Sequence, residues 1–390
     1  MNDFKSLLEK YKKGQASDQE IIIVEEAIEK NKAINDYLAE SIEDFSMDDI
    51  EDISVDLVHK KVKSKLRKNI ILSVLIVMSI FVFANFILSP VMDRIYYDPT
   101  TVTYGQYHKD IAYDMAAFTE LNVPGYKALN PLVIEKGYGS YDLVLRRKNL
   151  FEGFDHVALG DRVEIQLKRG KRQGYFDYLY GNGVYLVNDS EEFDYMPFYY
   201  ETPLKELRDM HKKNYISVFL EPEESLELLD VVKLMDKETD LDYKWLSVKN
   251  MDLVEGRPIG FNPSISDTYS VVEEFDRERY PYFDLHEFFG DMVGSFTEDE
   301  YMVKTSEIYQ KHFISLVNYL NDREDFVRLF GYNTYHYELY QETLDYVEKN
   351  GVKINGFLVY GEAEALVSFI ENNDIKTIQI LDVKTSKYSK

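Results

Sequence analysis

From residue 70 to residue 92 the chain carries no charged side chain, and this run restricts its fold more than any other feature. As a helix rising about 1.5 Å per residue the run is about 34 Å long, enough to cross a hydrocarbon layer of roughly 30 Å with slight tilt. A buried core helix seldom stays apolar all round over that length. A cleaved leader would be shorter, closer to Met1 and followed by a small-residue cleavage site. The run therefore predicts a transmembrane helix. Lys60, Lys61, Lys63, Lys65, Arg67 and Lys68 crowd its N-terminal side, whereas only Arg94 lies just beyond its other end. Basic flanks stay cytoplasmic, so the pattern predicts a single-pass membrane protein with its N-terminus inside and most of the chain outside. Tyr96 and Tyr97 suit the outer interface, where a ring can face lipid and a hydroxyl can face water.

The formal charge of −25 argues against direct nucleic-acid binding, because a phosphate backbone would be repelled, and it permits a basic protein partner. The absence of cysteine excludes disulfides, thiol catalysis and every Cys-type zinc site. Nearly all of the 32 tyrosines lie beyond the apolar run, which favours a β-rich, aromatic-packed outer region over a stacking surface.

Residues 1–59 predict a small all-α unit. Phe4, Leu7, Leu8 and Tyr11 recur at i, i+3, i+4, i+7, and Gly14 closes that helix. "SDQE" at 17–20 is a capping box that opens a second helix, which carries Val24 and Ile28 on one stripe and runs through Ile34 and Tyr37 to about Leu38. A third amphipathic run, Met47, Ile50, Ile53 and Leu57, leads to the membrane. The unit holds sixteen Asp and Glu against six Lys and Arg. So short a unit buries little core. Spare apolar surface with strong acidity fits helices that close around a basic, partly apolar partner, and fits equally a solvated hairpin that spaces the anchor.

Beyond the membrane run, residues 93–204 predict a β-rich segment. "RVEIQLK" alternates before a polar "RGKRQG" turn, and Asn182-Gly183 marks a hairpin. Residues 205–390 predict an α/β domain with two β-α-β halves. In the first, "ISVFLEP" leads into a helix with Leu228, Val231, Val232 and Met235 on one face, then "YKWLSV". In the second, "GFLVYGEAEAL" leads into a helix facing Ala365, Leu366, Phe369 and Ile370 inward, then "IKTIQILDV". Intervening helices are predicted over 306–330 and 335–350. The fold class is thus a small all-α unit, one membrane helix and a mixed α+β outer region.

"FKSLLEKYKKGQASDQEIIIVEEAIEKNKAINDYL" resembles the N-terminal helical domain of bacterial membrane anti-sigma factors. In their zinc-binding branch a His and two Cys occupy positions that here hold Ala27, Asn31 and Ile34, so the resemblance is to the zinc-less branch, the sigma-factor-regulator family of Gram-positive bacteria. "ISVFLEP", "YKWLSV" with the sole Trp245, "GRPIGF" and the closing "GVKINGFLVYGEAEAL" are similar to the C-terminal domain of that family. The resemblance implies an extracytoplasmic-function sigma factor as cytoplasmic partner, other membrane or envelope proteins as further candidates, and an envelope stress signal on the outer side. It also implies no cofactor and no metal. Phe4, Leu7, Leu8, Tyr11, Val24, Ile28 and Leu38 would then form the sigma-factor-binding face.

No catalytic motif competes with this reading. "HEFFG" at 286 lacks the second His of a zinc-protease helix, and neither a Gly-x-Ser-x-Gly elbow nor a Walker-type sequence occurs. His312 and His336 fall on predicted helices as surface or hydrogen-bonded core residues. The reading is a membrane-anchored anti-sigma factor and not an enzyme. The alternative is a membrane-tethered envelope-binding or sensor protein with an inert inner tail.

Overall fold

The computed structural model describes residues 3–43, 55–104, 108–152, 161–174, 183–187, 196–251, 258–264, 276–286, 294, 296–331 and 335–388. They fall into two compact units, Met1–Phe81 and Val82–Lys390.

In the first unit, α1 (Asp3–Lys12) and α2 (Asp18–Glu43) form a helical hairpin. The amide of Gln15 donates to the Lys10 carbonyl (2.9 Å) and that of Gly14 to the Tyr11 carbonyl (3.1 Å). This is the paired closure of a Schellman motif, and it needs the left-handed φ of +66° that Gly14 adopts without strain. Ser17 then opens α2: its carbonyl accepts the first helical bond from Ile21 (2.9 Å), and its own amide donates to the Glu20 carboxylate (2.9 Å). The expected helix over Met47, Ile50 and Ile53 lies outside the described residues. Leu57 falls in α3 (Val55–Phe83), which continues through a π-helical turn (Ala84–Leu88) into α4 (Ser89–Ile95). Lys60–Ile95 is one helix long and apolar enough to cross a membrane, and its most apolar stretch is wholly exposed.

After α4, the second unit continues with a helix that the sequence did not announce. α5 (Asp110–Asn122) is buried on nearly every side, so it lacks the one-sided stripe by which amphipathic helices are recognised. It packs on the first of four antiparallel strands, β1 (Tyr126–Glu135), β2 (Ser140–Asn149), β3 (Asp161–Lys168) and β4 (Arg172–Gln173), which pair in that order. β3 is the expected "RVEIQLK" strand; the partner strand of the Asn182-Gly183 hairpin lies outside the described residues.

After α6 (Met196–Tyr199) and α7 (Glu201–Asp209) come β5 (Tyr215–Pro222), β6 (Leu226–Glu227), α8 (Leu228–Lys237), β7 (Asp242–Val248) and β8 (Ile259–Phe261). Three helices follow: α9 (Glu298–Asn321), α10 (Glu324–Phe330) and α11 (Tyr335–Asn350). The chain ends in β9 (Lys353–Glu362), α12 (Ala363–Asn372) and β10 (Ile375–Lys384). α9 starts earlier than the expected residue 306 because Thr297 and Glu300 form a full capping box.

The second sheet runs β10-β5-β9-β7-β8, with β6 pairing β9, and every pair is antiparallel. The two β-α-β halves are present, but each is split. β5 and β7 run parallel with β9 inserted between them, and β9 and β10 run parallel with β5 inserted, so the halves interleave as in ferredoxin-like folds. The result is an antiparallel α+β sheet. One face, with Ile216, Val218, Leu220, Phe357 and Val359, joins the main core together with α5, α9 and strands β1–β3. The other, with Tyr215, Phe219, Trp245, Leu358 and Tyr360, packs under Phe151, Val184 and Leu186.

Candidate functional site

In the first unit the length mismatch between the two helices leaves an apolar stripe uncovered, the candidate site. α1 has ten residues and spans about 15 Å, whereas α2 has 26 and spans about 39 Å, so α1 covers only the first part of its partner. A salt bridge from Lys10 to Glu20 (3.1 Å) and a long contact from the Tyr11 hydroxyl to Glu25 (3.5 Å) clip the covered part together. The Ser17 amide, then Lys10, hold the Glu20 carboxyl down at about 2. Val24 is fully buried, and Leu7, Leu8 and Tyr11 are half-buried. These four residues are occupied largely in holding the hairpin closed.

Past the end of α1 the stripe that contains Val24 continues uncovered. At about 100° per residue, Ile28, Asn31, Ile34 and Leu38 fall within a third of the α2 circumference. Ile28 and Leu38 are about half exposed and Ile34 is 56% exposed; Tyr37, about 60° beyond the stripe, is 72% exposed. Glu25, Glu29 and Asp36 lie on the opposite face. Phe4, exposed on the first turn of α1, is well separated along the chain from this group. The fold thus divides the seven expected residues: Ile28 and Leu38 sit on the exposed stripe, Phe4 stands apart, and Leu7, Leu8, Tyr11 and Val24 line the hairpin. Ile34 joins the stripe, although the expected binding face omits it, whereas Tyr37 lies about 60° beyond the stripe. The period-3.6 signal contains Ile34, but only the end of α1 reveals where covering stops.

The second unit concentrates its polar chemistry in the interior. Asp114 of α5, with no solvent exposure, accepts from Arg323 Nε (2.7 Å), Arg323 Nη2 (2.8 Å), the Tyr97 hydroxyl (2.8 Å) and the Tyr319 hydroxyl (2.9 Å). Burial pushes the Asp114 carboxyl up, while the guanidinium and the two hydroxyls pull the other way. Asp110, one turn earlier and equally buried, accepts from the Thr101 hydroxyl (2.9 Å) and the Thr103 amide (2.7 Å). Tyr97 lies two residues beyond α4, so this cluster ties the end of the apolar helix into the core. Arg323 is 17% exposed and lines a cleft of about 450 Å³ together with Asp93, Asp98, Asp322, Glu324 and Asp325.

His312 of α9 is fully buried, as a hydrogen-bonded core residue. Its Nδ1 lies 2.7 Å from the Tyr282 carbonyl and its Nε2 2.9 Å from Glu120. Both neighbours are acceptors, so the geometry calls for a proton on each ring nitrogen. Burial opposes the charge, yet Glu120 and the Tyr282 carbonyl raise the pKa of the imidazole above its ordinary value. Glu120 also accepts the Asn262 amide (3.1 Å), and its own carbonyl accepts the Trp245 indole N–H (2.7 Å). The exposed His286 places Nδ1 2.7 Å from the buried Asp284 carboxylate; the remainder of "HEFFG" lies outside the described residues.

Among the described residues, one candidate membrane span follows a helical hairpin and precedes an interleaved α+β unit in the sequence, an order that fits a single-pass membrane protein. Residues 207–381, from the end of α7 into β10, match the family described as sigma factor regulator C-terminal. The match spans 175 of the 390 residues, so this region is similar to a family of sigma factor regulators. No curated protein and no solved structure matches the chain.

Proposed function

We propose that the protein is a membrane-anchored anti-sigma factor that holds an extracytoplasmic-function sigma factor at the membrane and releases it in response to an envelope signal. The match over residues 207–381 carries this reading. On this proposal residues 1–59 are the cytoplasmic sigma-binding domain and 60–92 the basic flank and membrane helix. Residues 93–204 and 205–390 form the extracytoplasmic part. The six basic residues between Lys60 and Lys68, against Arg94 alone beyond the run, support the N-in orientation.

The sigma factor would dock on the exposed stripe of α2, with Ile28 and Leu38 at its centre and Ile34 beside them, while Phe4 extends the contact from α1. Leu7, Leu8, Tyr11 and Val24 would act by keeping the hairpin closed. The acidic reverse face would steer a basic partner in, and the apolar stripe would supply the buried contact.

The test is co-purification of the full chain from detergent-solubilised bacterial membranes, with a sigma-dependent reporter read in the same cells. Wild type should retain a sigma factor and repress. Ile34→Asp with Leu38→Asp, which face solvent and leave Val24 in place, should release it and raise reporter output at least tenfold. Retention unchanged in that variant would overturn the stripe as the site. Full function after deletion of residues 1–43 would replace the proposal with an envelope-binding protein whose inner tail is inert.

A further inference from the structure

Beyond residue 92 the chain holds 21 more carboxylates than basic side chains, yet one five-residue stretch there, Lys168-Arg169-Gly170-Lys171-Arg172, is four-fifths basic. It forms the turn between β3 and β4, closed by bonds between the Lys168 and Lys171 backbones (2.8 and 3.1 Å). The Arg169 amide donates to the Gly139 carbonyl (2.7 Å), which pins this turn against the tip of the β1–β2 hairpin.

Both tips are fastened to the end of the apolar helix. The Tyr138 amide donates to Ser89 Oγ (2.9 Å) and the Gly139 amide to Asp93 Oδ1 (2.7 Å). The Tyr96 ring lies so close to Gly139 and Gly170 that a Cβ on either would come within 3.0 Å of it. Ser89 is inside the uncharged run, so the hairpin tip sits level with its last turn. Around this point Leu88, Val91, Ile95, Leu132 and Ile134 are exposed, the last two on the strand that leads into the tip. Arg94, Lys168, Arg169 and Lys171 are exposed as well, and their side chains make no hydrogen bond or ion pair among the described residues. Of the nearby acids, Asp93 accepts from the Gly139 amide, Asp142 pairs with Lys136 (2.8 Å) and Glu164 with Arg162, whereas Glu135 is exposed beside Ile134 and Arg94 borders the cleft that Asp98, Asp322, Glu324 and Asp325 line.

We infer that Lys168, Arg169 and Lys171, with Arg94, form a basic collar that binds anionic phospholipid headgroups of the bilayer that the apolar helix crosses, with Leu132 and Ile134 resting at its interface. Side chains held at the exit of a membrane helix meet headgroups before any other phosphate, and cations concentrated there in an otherwise acidic unit match an anionic lipid surface. The inference rests on the membrane-spanning reading and not on the identity of the cytoplasmic partner.

The chain has no cysteine, so Gln173→Cys in the full-length protein carries a single fluorophore beside the collar. The protein is reconstituted in nanodiscs of phosphatidylcholine alone or mixed with phosphatidylglycerol, and quenching by headgroup-spin-labelled lipid is read. Each basic side chain near an anionic surface strengthens association by roughly fivefold, so quenching should rise clearly with phosphatidylglycerol and fall back in high salt. Lys168→Glu, Arg169→Glu, Lys171→Glu should abolish the dependence, Lys168→Arg, Lys171→Arg should keep it, and Trp245 emission checks that each variant is folded. Equal quenching in both lipids, or a dependence that survives charge reversal, overturns the inference. So does displacement of the collar from phosphatidylglycerol discs by a soluble glycerol phosphate polymer, which would assign it to free polyphosphate. Failure to enter either disc overturns the membrane reading itself.

Discussion

Removing the Asp114 carboxylate should undo the second unit more than any surface change. Asp114→Ala deletes the acceptor of four hydrogen bonds and strands Arg323, Tyr97 and Tyr319. Breaking a buried ion pair by removing one partner costs about 3–5 kcal/mol. Arg323 lines the cleft and Asp110 lies 3.9 Å from its Nη1, so water and that second carboxylate relieve part of the loss, and the lower end of the range applies. The Tyr319 hydroxyl, fully buried, loses its 2.9 Å bond to the carboxylate, which adds about 1–3 kcal/mol. The sum is about 4–6 kcal/mol, a large part of the roughly 5–15 kcal/mol available to a folded domain.

Urea unfolding of the full chain in detergent, followed by emission of Trp245, reads this directly. That indole is buried in the same unit and bonded to α5, the helix that carries Asp114. The double variant Asp114→Leu, Arg323→Met removes both charges and should recover about 2–4 kcal/mol of the loss, leaving mainly the stranded hydroxyls. A loss below about 1 kcal/mol in Asp114→Ala, or no recovery in the double variant, would refute the claim that this pair organises the membrane-proximal core.

Three further outcomes are expected. The raised pKa of His312 means that its pair with Glu120 contributes full stability below the ordinary value of 6.5 and loses it as pH rises through the folded pKa, with Asp284 as the other nearby charge. The Tm of the Trp245 transition should therefore fall from mildly acidic to alkaline pH in wild type and lose that component in His312→Gln; an unchanged slope would deny the imidazolium. Gly260→Ala places a Cβ 2.0 Å from the Leu246 carbonyl oxygen and 2.7 Å from the Trp245 ring, so it should cost about 1–3 kcal/mol or more and shift Trp245 emission. Ser17→Ala should lower the thermal midpoint of the helical hairpin, by circular dichroism, by an amount equivalent to about 1 kcal/mol.

The elements easiest to read in the sequence were those whose cause is local. Gly14 and the Ser17–Glu20 box marked both ends of the inner turn because closure of a helix involves residues within one turn of each other. The strands β5 and β9 and the helices that follow them were legible from apolar periodicity. What escaped was everything set by neighbours distant in sequence. The insertion of β9 between β5 and β7 leaves no trace in either strand, since a fully buried strand has the same composition beside a parallel or an antiparallel partner. α5 hid because burial on all sides erases the stripe. Asp110, Asp114 and Arg323 looked like three charges among many in an acidic chain. Nothing local distinguishes a carboxylate that faces water from one whose guanidinium arrives 209 residues later.

The interleaving of the two halves has a consequence for biosynthesis. Both sheet neighbours of β5 come from β9 and β10, so the eight-residue "YISVFLEP" strand, buried along its whole length, leaves the ribosome more than a hundred residues before anything can pair with it. Until then it is an apolar segment with bare edges, and the chain around it has no core to close. A nascent chain interrupted before residue 353 would offer proteases an open strand rather than a smaller working domain. Synthesis of β9 and β10 and acquisition of a protected fold are thereby one event.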